Sequence, residues 1–257
     1  MFGRLKERLN DGDTLIGTFV KTPAINLVEI LGFVGFDFII IDMEHSSLDF
    51  AQAEALVVAA ASVGLGSVIR TAKNQDDLIV KALDLGCDGV QIPLIETAAQ
   101  AKAAVRSAHY FPLGDRSISF STRAAAYGTI PPPEYVEKSN QKQMVILQVE
   151  NRGAVECSAA LSKVQGADVL FLGTADLCQS MGYPGHLLLD EIEKSLSLMS
   201  ASVKAMDKWM GAFVGSERDL KIAIRYRIPY LVFSTDLGLF QKGAKSELQM
   251  IRGFLEN

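Results

Sequence analysis

Cysteine is scarce in this sequence: Cys87, Cys157 and Cys178 are the only three, and they form no CxxC pair and no zinc-ligand spacing. An odd count at irregular intervals argues against a disulfide framework and fits reduced, structural thiols in a cytosolic protein. No run of 18 or more uninterrupted apolar residues occurs, so a membrane span is not expected. Residues 1–13, MFGRLKERLNDGD, are charged and amphipathic and carry no apolar core of a signal peptide. Positive charge is not in excess either. The formal net charge of −5 speaks against a nucleic-acid or anionic-membrane surface. Internal repeats, low-complexity segments and composition shifts that would mark a domain boundary are also missing.

What is present is a long alternation. Of the 257 residues, 49% are apolar and 21% charged, enough to bury a sizeable core. Strand-like runs are expected at 14–20, 36–41, 66–70, 88–92, 144–149, 168–172, 209–214 and 229–233. Helices are expected at 23–34, 49–63, 74–85, 97–108, 154–164, 190–208, 217–226 and 239–255, with Asn74 or Gln75 capping the third. The rhythm breaks over 110–143, which holds PLGDRS, STRAAAYG and three consecutive prolines. A connection this long is more often functional than idle. A Gly-rich turn, GTADLCQSMGYPG, follows the sixth strand. Eight strands alternating with helices in a chain of this length predict an α/β fold, a single (β/α)8 TIM barrel over 1–257. The competing doubly wound sheet would place GxGxxG after the first strand, and none is there.

In such a barrel the active site opens at the carboxyl ends of the strands. The second strand, FDFIII, changes abruptly into Asp42, Glu44 and His45. A His there, with acids close by, is a candidate base with its orienting partner, or else part of a cap on the next helix. Strand three ends in Arg70, strand four in Gln91 and Pro93, strand five in Gln148 and Glu150. Strand six leads to Gly173, Ala175 and Asp176, and strand eight to Ser234 and Asp236. Polar groups from so many strand ends converge on one mouth. Glu150 and Asp176, on adjacent strands, suit a hard divalent cation such as Mg²⁺ or Mn²⁺, which takes one or two protein carboxylates. Alternatively Glu150 pairs with Arg152 or Arg70, and Asp176 caps a helical turn.

Arg70 is either paired structurally or aimed at an anionic ligand, and beside a metal it would stabilise a developing enolate. Asp84 sits near a helix C-terminus, where the dipole disfavours a carboxylate; it is exposed or has a partner, with His45 a candidate. Arg116 and Arg123, in the long interruption, could reach a substrate carboxylate or a neighbouring subunit. His109 and His186 are expected at the surface and Trp209 in the core. Lys73, Lys81 and Lys204 lie outside apolar strands that would depress a lysine pKa for Schiff-base chemistry.

With these residues in place, the chain resembles the HpcH/HpaI aldolase family of metal-dependent, class II pyruvate aldolases over nearly its full length. The motifs are IDMEH at strand two, Arg70, KALDLGCDGVQIP, YFPLGDR, QVE at strand five, and FLGTADL followed by MG. The resemblance implies a cytoplasmic lyase that cleaves 4-hydroxy-2-oxo acids to pyruvate and an aldehyde through a metal-bound enolate. It also implies Mg²⁺, Mn²⁺ or Co²⁺ as cofactor, and a homohexamer, a trimer of dimers, whose last helix packs on a neighbouring subunit. Glu150 and Asp176 match the metal ligands, His45 the general base, Arg70 the enolate-stabilising residue and Asp84 the acid that raises the basicity of His45. Gln148, Ala175 through its backbone, and Asp176 match contacts to the pyruvate half; Asp42, Glu44, Arg123 and Asp236 are supporting candidates. Three departures, Ser117 after Arg116, Thr174 in place of Pro and Ser234 in place of Gly, are expected near the mouth. They leave room for a condensing enzyme that uses the same enolate with another electrophile, citrate-synthase-like or Diels–Alder-like. A non-catalytic binding barrel is the remaining alternative.

Overall fold

The computed structural model describes residues 4–255. Its strands are β1 (Leu15–Val20), β2 (Phe38–Asp42), β3 (Gly66–Arg70), β4 (Gly89–Ile92), β5 (Met144–Val149), β6 (Val169–Leu172), β7 (Trp209–Val214) and β8 (Tyr230–Thr235). They close into one barrel in sequence order, each strand pairing in parallel with the next and β8 with β1. The fold class is thus the (β/α)8 barrel that the alternation predicts.

Helix α1 (Arg4–Asn10) precedes the barrel, and α2 (Ile25–Phe33), α3 (Phe50–Ser62), α4 (Asp76–Asp84) and α5 (Ala98–Ala108) follow the first four strands. Asp49 and Thr97 open α3 and α5 with capping boxes to Gln52 and Gln100. Gln75 is the cap residue of α4 but makes no side-chain cap bond, so that expectation holds in place and not in chemistry. The interruption at 110–143 contains an unforeseen helix, α6 (Pro132–Lys142), which starts on the prolines because the first turn of a helix needs no N–H donor. The expected helix at 154–164 is two short ones, α7 (Arg152–Glu156) and α8 (Ser158–Leu161). The Gly-rich turn holds another, α9 (Thr174–Ser180), before α10 (Leu189–Lys204) and α11 (Glu217–Arg225). Finally α12 (Asp236–Leu255) begins directly at the end of β8.

Alternation along each strand sorts the apolar residues into two cores. Leu15, Phe38, Ile40, Val68, Ile146, Phe171 and Tyr230 fill the barrel interior; Ile39, Ile41, Ile69, Val90, Leu147 and Leu170 face the helices. Leu5 and Leu9 of α1 join the interior group, so the amphipathic start of the chain plugs one end of the barrel. Phe38 stacks on Tyr230 with ring centroids 4.4 Å apart, and a Cβ at position 17 would meet the Phe38 ring at 2.3 Å, which is why glycine stands there. The other end, at the carboxyl termini of the strands, is open.

Candidate active site

Parallel register sets Asp42, Arg70 and Gln91 side by side at the ends of β2, β3 and β4. Asp42 is fully buried. Its Oδ1 accepts from Arg70 Nε at 2.9 Å and its Oδ2 from Arg70 Nη2 at 2.8 Å, a bidentate lock. Oδ1 also accepts the backbone N–H groups of Glu44 and His45, each at 3.1 Å, so the same carboxylate shapes the loop that carries the histidine. Burial pushes the Asp42 carboxyl up, but Arg70, the His45 N–H and Lys21 outweigh it and hold it below its ordinary value. Asp42 is therefore the keystone of the loop and the partner of Arg70.

Next along the barrel, on β4 and β5, Gln91 Nε2 donates to Gln148 Oε1 at 2.6 Å, and the Gln148 amide in turn donates to Glu150. The other Glu150 oxygen accepts from the backbone of Leu94 at 2.6 Å, a residue held at φ 58. A side chain at position 173 would strike Glu150 Oε2 at 2.8 Å, so Gly173 gives this carboxylate its room. Burial, with Asp176 adding repulsion, raises the Glu150 carboxyl pKa against the two hydrogen bonds. Glu44 is pushed up to about 7 by burial and by Glu150, Asp42 and Asp176, despite Arg70. Its Oε2 lies 3.2 Å from Arg70 Nη1 yet is buried without a hydrogen bond. Buried carboxylates that repel one another, one with an orphaned oxygen, are what a bound cation would relieve. Among the described residues no group of three or more His, Cys, Asp or Glu side chains forms a cage. Glu150 and Asp176 are two carboxylates near enough for Asp176 to raise the Glu150 carboxyl.

His45 is half exposed, its Nε2 3.7 Å from Glu44 Oε2. Asp84 is not beside it. The Asp84 carboxylate accepts from Arg116 Nη2 at 2.6 Å, and Arg116 Nη1 donates to Gln143, just before β5. This cluster lies at the amino ends of the strands because α4 runs back across the barrel before β4 begins. Within one chain the expected Asp84–His45 pair is thus not formed, and Ser117 belongs to the far end and not to the mouth. Arg123 is also at that end, in a cleft of about 290 Å³ with Gly66 and Ser67 at the start of β3. His109, expected at the surface, is buried with a ring nitrogen 3.0 Å from the Val105 carbonyl. Asp236 is a brace: it accepts from the backbone of Lys21 and Thr22 and from the Thr22 hydroxyl at 2.7 Å, tying the end of β8 to that of β1. Ser234 adopts φ 61, the left-handed region that glycine takes without strain.

The mouth is a cavity of about 790 Å³ lined by His45, Arg70, Gln148, Ala175 and Asp176. It also contains residues that sequence reasoning passed over. Lys21, at the end of β1, reaches Asp42 Oδ2 at 3.2 Å and the His45 carbonyl at 3.4 Å, and Phe19 holds its ring 4.6 Å from the Arg70 guanidinium. A lysine directly after the first strand run is the signal for it in the sequence.

A sequence profile described as HpcH/HpaI aldolase/citrate lyase matches residues 15–225. A 5-keto-4-deoxy-D-glucarate aldolase of Klebsiella pneumoniae is 30% identical over 217 residues, 84% of each chain. Among solved structures, an HpcH/HpaI aldolase/citrate lyase family protein from Burkholderia cenocepacia superposes with a TM-score of 0.91 at 28% identity, covering 97% of this chain and 99% of that one. The citrate synthase SbnG superposes with a TM-score of 0.90 at 25% identity, covering 98% and 99%.

Proposed function

This chain belongs to the HpcH/HpaI aldolase/citrate lyase family, and from that premise we propose that it is a metal-dependent carbon–carbon lyase cleaving a 4-hydroxy-2-oxo acid to pyruvate and an aldehyde, reversibly. One observation carries the reading: a guanidinium locked by a buried Asp42 shares the mouth with the Asp176 carboxylate and a half-exposed His45, while Gln148 of the same lining donates to the buried Glu150. Glu150 and Asp176 would hold Mg²⁺, Mn²⁺ or Co²⁺, which supplies Lewis acidity to the 2-oxo acid when bound. The Gln148 amide, the Ala175 backbone and Asp176 orient the pyruvate half. His45 takes the proton of the C4 hydroxyl, the C3–C4 bond breaks, and its electron pair moves toward the 2-oxo oxygen. Arg70, unable to swing away from Asp42, places fixed positive charge where that oxygen becomes negative. Protonation of C3 then completes pyruvate.

An Asp84 contribution to His45 has to come from a second subunit, since one chain holds the two at opposite ends of the barrel. Helix α12 supports an oligomer: Phe240, Ile251 and Phe254 stand exposed on a helix whose only buried residue is Asp236. Three unpaired cysteines, and no described helix long and apolar enough to cross a membrane, support a cytoplasmic home. The condensing alternative draws support from the likeness to a citrate synthase and from Thr174 at the mouth. Pyruvate incubated in D₂O with each metal decides between them. Metal-dependent methyl exchange with cleavage of 4-hydroxy-2-oxo acids is expected; exchange without cleavage would favour condensation, and no exchange would remove both.

A further inference from the structure

Gln91 pairs in register with Arg70 of β3 and Ile146 of β5, and Gln148, two residues beyond Ile146, points to the same face of its strand as Ile146 does. Gln91 is fully buried and does not line the mouth, whereas Gln148 does. As packing, the Gln91 amide is a poor choice: its Oε1 is buried with no hydrogen-bond donor among the described residues, which costs stability. Its Nε2 has a partner, the Gln148 Oε1 at 2.6 Å. That bond settles what Gln148 can offer. A primary amide carries one acceptor oxygen and two N–H donors. Gln91 is the only described donor to the Gln148 side-chain oxygen, one Gln148 N–H goes to Glu150 Oε2, and the second has no partner among the described residues. A carboxylate that holds a cation can only accept, so the chain from Gln91 through Gln148 to Glu150 runs in one direction. With the Gln148 amide turned round, its oxygen would face the Glu150 oxygen, acceptor against acceptor.

We propose that Gln91 is a positioning residue: by occupying the Gln148 carbonyl from below, it keeps one Gln148 N–H on the Glu150 carboxylate and leaves the other for an acceptor oxygen of the 2-oxo acid. Gln91 touches neither metal nor substrate and acts through Gln148 alone. This rests on the aldolase reading, in which Glu150 holds the metal and Gln148 orients the pyruvate half. Without the Gln91 N–H, the Gln148 amide loses the one bond that fixes which end faces Glu150, and both the carboxylate and the pyruvate contact lose their orientation.

The test is Gln91→Met, of similar volume, with Gln91→Leu standing in should it fail to fold. Calorimetry follows Mn²⁺ binding to the metal-free protein, and methyl exchange of pyruvate in D₂O gives KM and kcat. Losing a group behind a metal ligand costs roughly 10–100-fold, so Mn²⁺ binding about tenfold weaker and a KM for pyruvate about tenfold higher are expected, with kcat within about threefold. Tm should stay within about 3 °C of wild type, because one unpaired oxygen, that of Gln91, is exchanged for another, that of Gln148. In a Gln148→Met background the same substitution should change Mn²⁺ affinity and KM by less than about twofold, since a residue that acts through another has nothing left to act on. Mn²⁺ affinity and KM within about twofold of wild type, or losses that add in the Gln148→Met background, would overturn the role of Gln91 and leave the aldolase reading standing. Mn²⁺ binding that follows this cycle in a protein that exchanges no pyruvate protons would overturn the aldolase reading and leave the positioning role standing. A wild-type protein that binds no Mn²⁺ would overturn both.

Discussion

Asp42→Asn is the substitution that most directly probes how the mouth is held. The carboxylate meets Arg70 through both oxygens, at 2.9 and 2.8 Å, and Lys21 lies 3.2 Å from one of them. An asparagine keeps one oxygen for the Glu44 and His45 N–H groups and for Arg70 Nε. Its amide nitrogen, however, would confront Arg70 Nη2 and Lys21 Nζ, donor against donor, at a side chain that is itself fully buried. Removing one partner of a buried ion pair costs about 3–5 kcal/mol, because the other charge stays buried. At about 3 kcal/mol the loss in a domain this size is roughly 6–12 °C in Tm. The Asp42 carboxyl is depressed in the folded state, so its contribution is present above the ordinary Asp pKa of about 4 and is lost as pH falls through the folded value. The gap between wild type and variant should therefore narrow under acid. Thermal melts from pH 3 to 8 measure the first effect; methyl exchange of pyruvate in D₂O measures the second, with a slowing of at least tenfold once Arg70 can swing. A Tm within 2 °C of wild type at pH 7, or exchange within twofold, would refute the keystone role.

Other perturbations separate the remaining parts. Glu44 has its folded pKa raised from 4.5 to about 7, so the metal-free protein should lose stability as pH rises through that window, by up to about 3 kcal/mol, and Glu44→Gln should flatten the curve in urea titrations. Divalent metal should reduce the slope only in part, by offsetting the repulsion from Glu150 and Asp176 while burial, the larger cause, stays. Glu150→Gln should weaken Mn²⁺ binding at least tenfold by calorimetry, whereas His45→Ala should bind Mn²⁺ as wild type does and exchange pyruvate protons at least a hundredfold more slowly. Ser234→Gly should gain roughly 1 kcal/mol, seen as a Tm rise of about 2–4 °C, because the left-handed backbone there penalises a Cβ. Asp84→Asn, with Arg116 retained, should shift the pH profile of exchange only in preparations that sedimentation shows to be oligomeric; a shift in a monomer would contradict the placement of Asp84.

The barrel was legible because each of its signals is local. A strand buried on both faces reads as an uninterrupted apolar run, and the polar residue that ends it, such as Asp42, Arg70, Gln148 or Glu150, reads in the next letters. Eight such runs in alternation leave few topologies, and parallel closure brings their ends to one mouth. Short helices were harder. α6 begins on prolines and α9 is wrapped in glycines, so their punctuation imitates loops.

Position across the barrel was not local at all. Asp84 and His45 are residues of one motif set, but the reversal of α4 before β4 carries Asp84 to the far end, where Arg116 takes it. The return of α5 before β5 does the same for Ser117 and Arg123. His109 reads as a loop residue, yet its ring lies against a helix carbonyl inside the fold. Lys21 gained meaning only when β2 placed Asp42 within reach of it. The sequence by itself determined which chemical groups are present and that they end strands of one closed sheet. Tertiary structure alone decided which of them touch and what shape the space between them has, because contact and volume depend on the path of the chain between residues and not on the residues themselves.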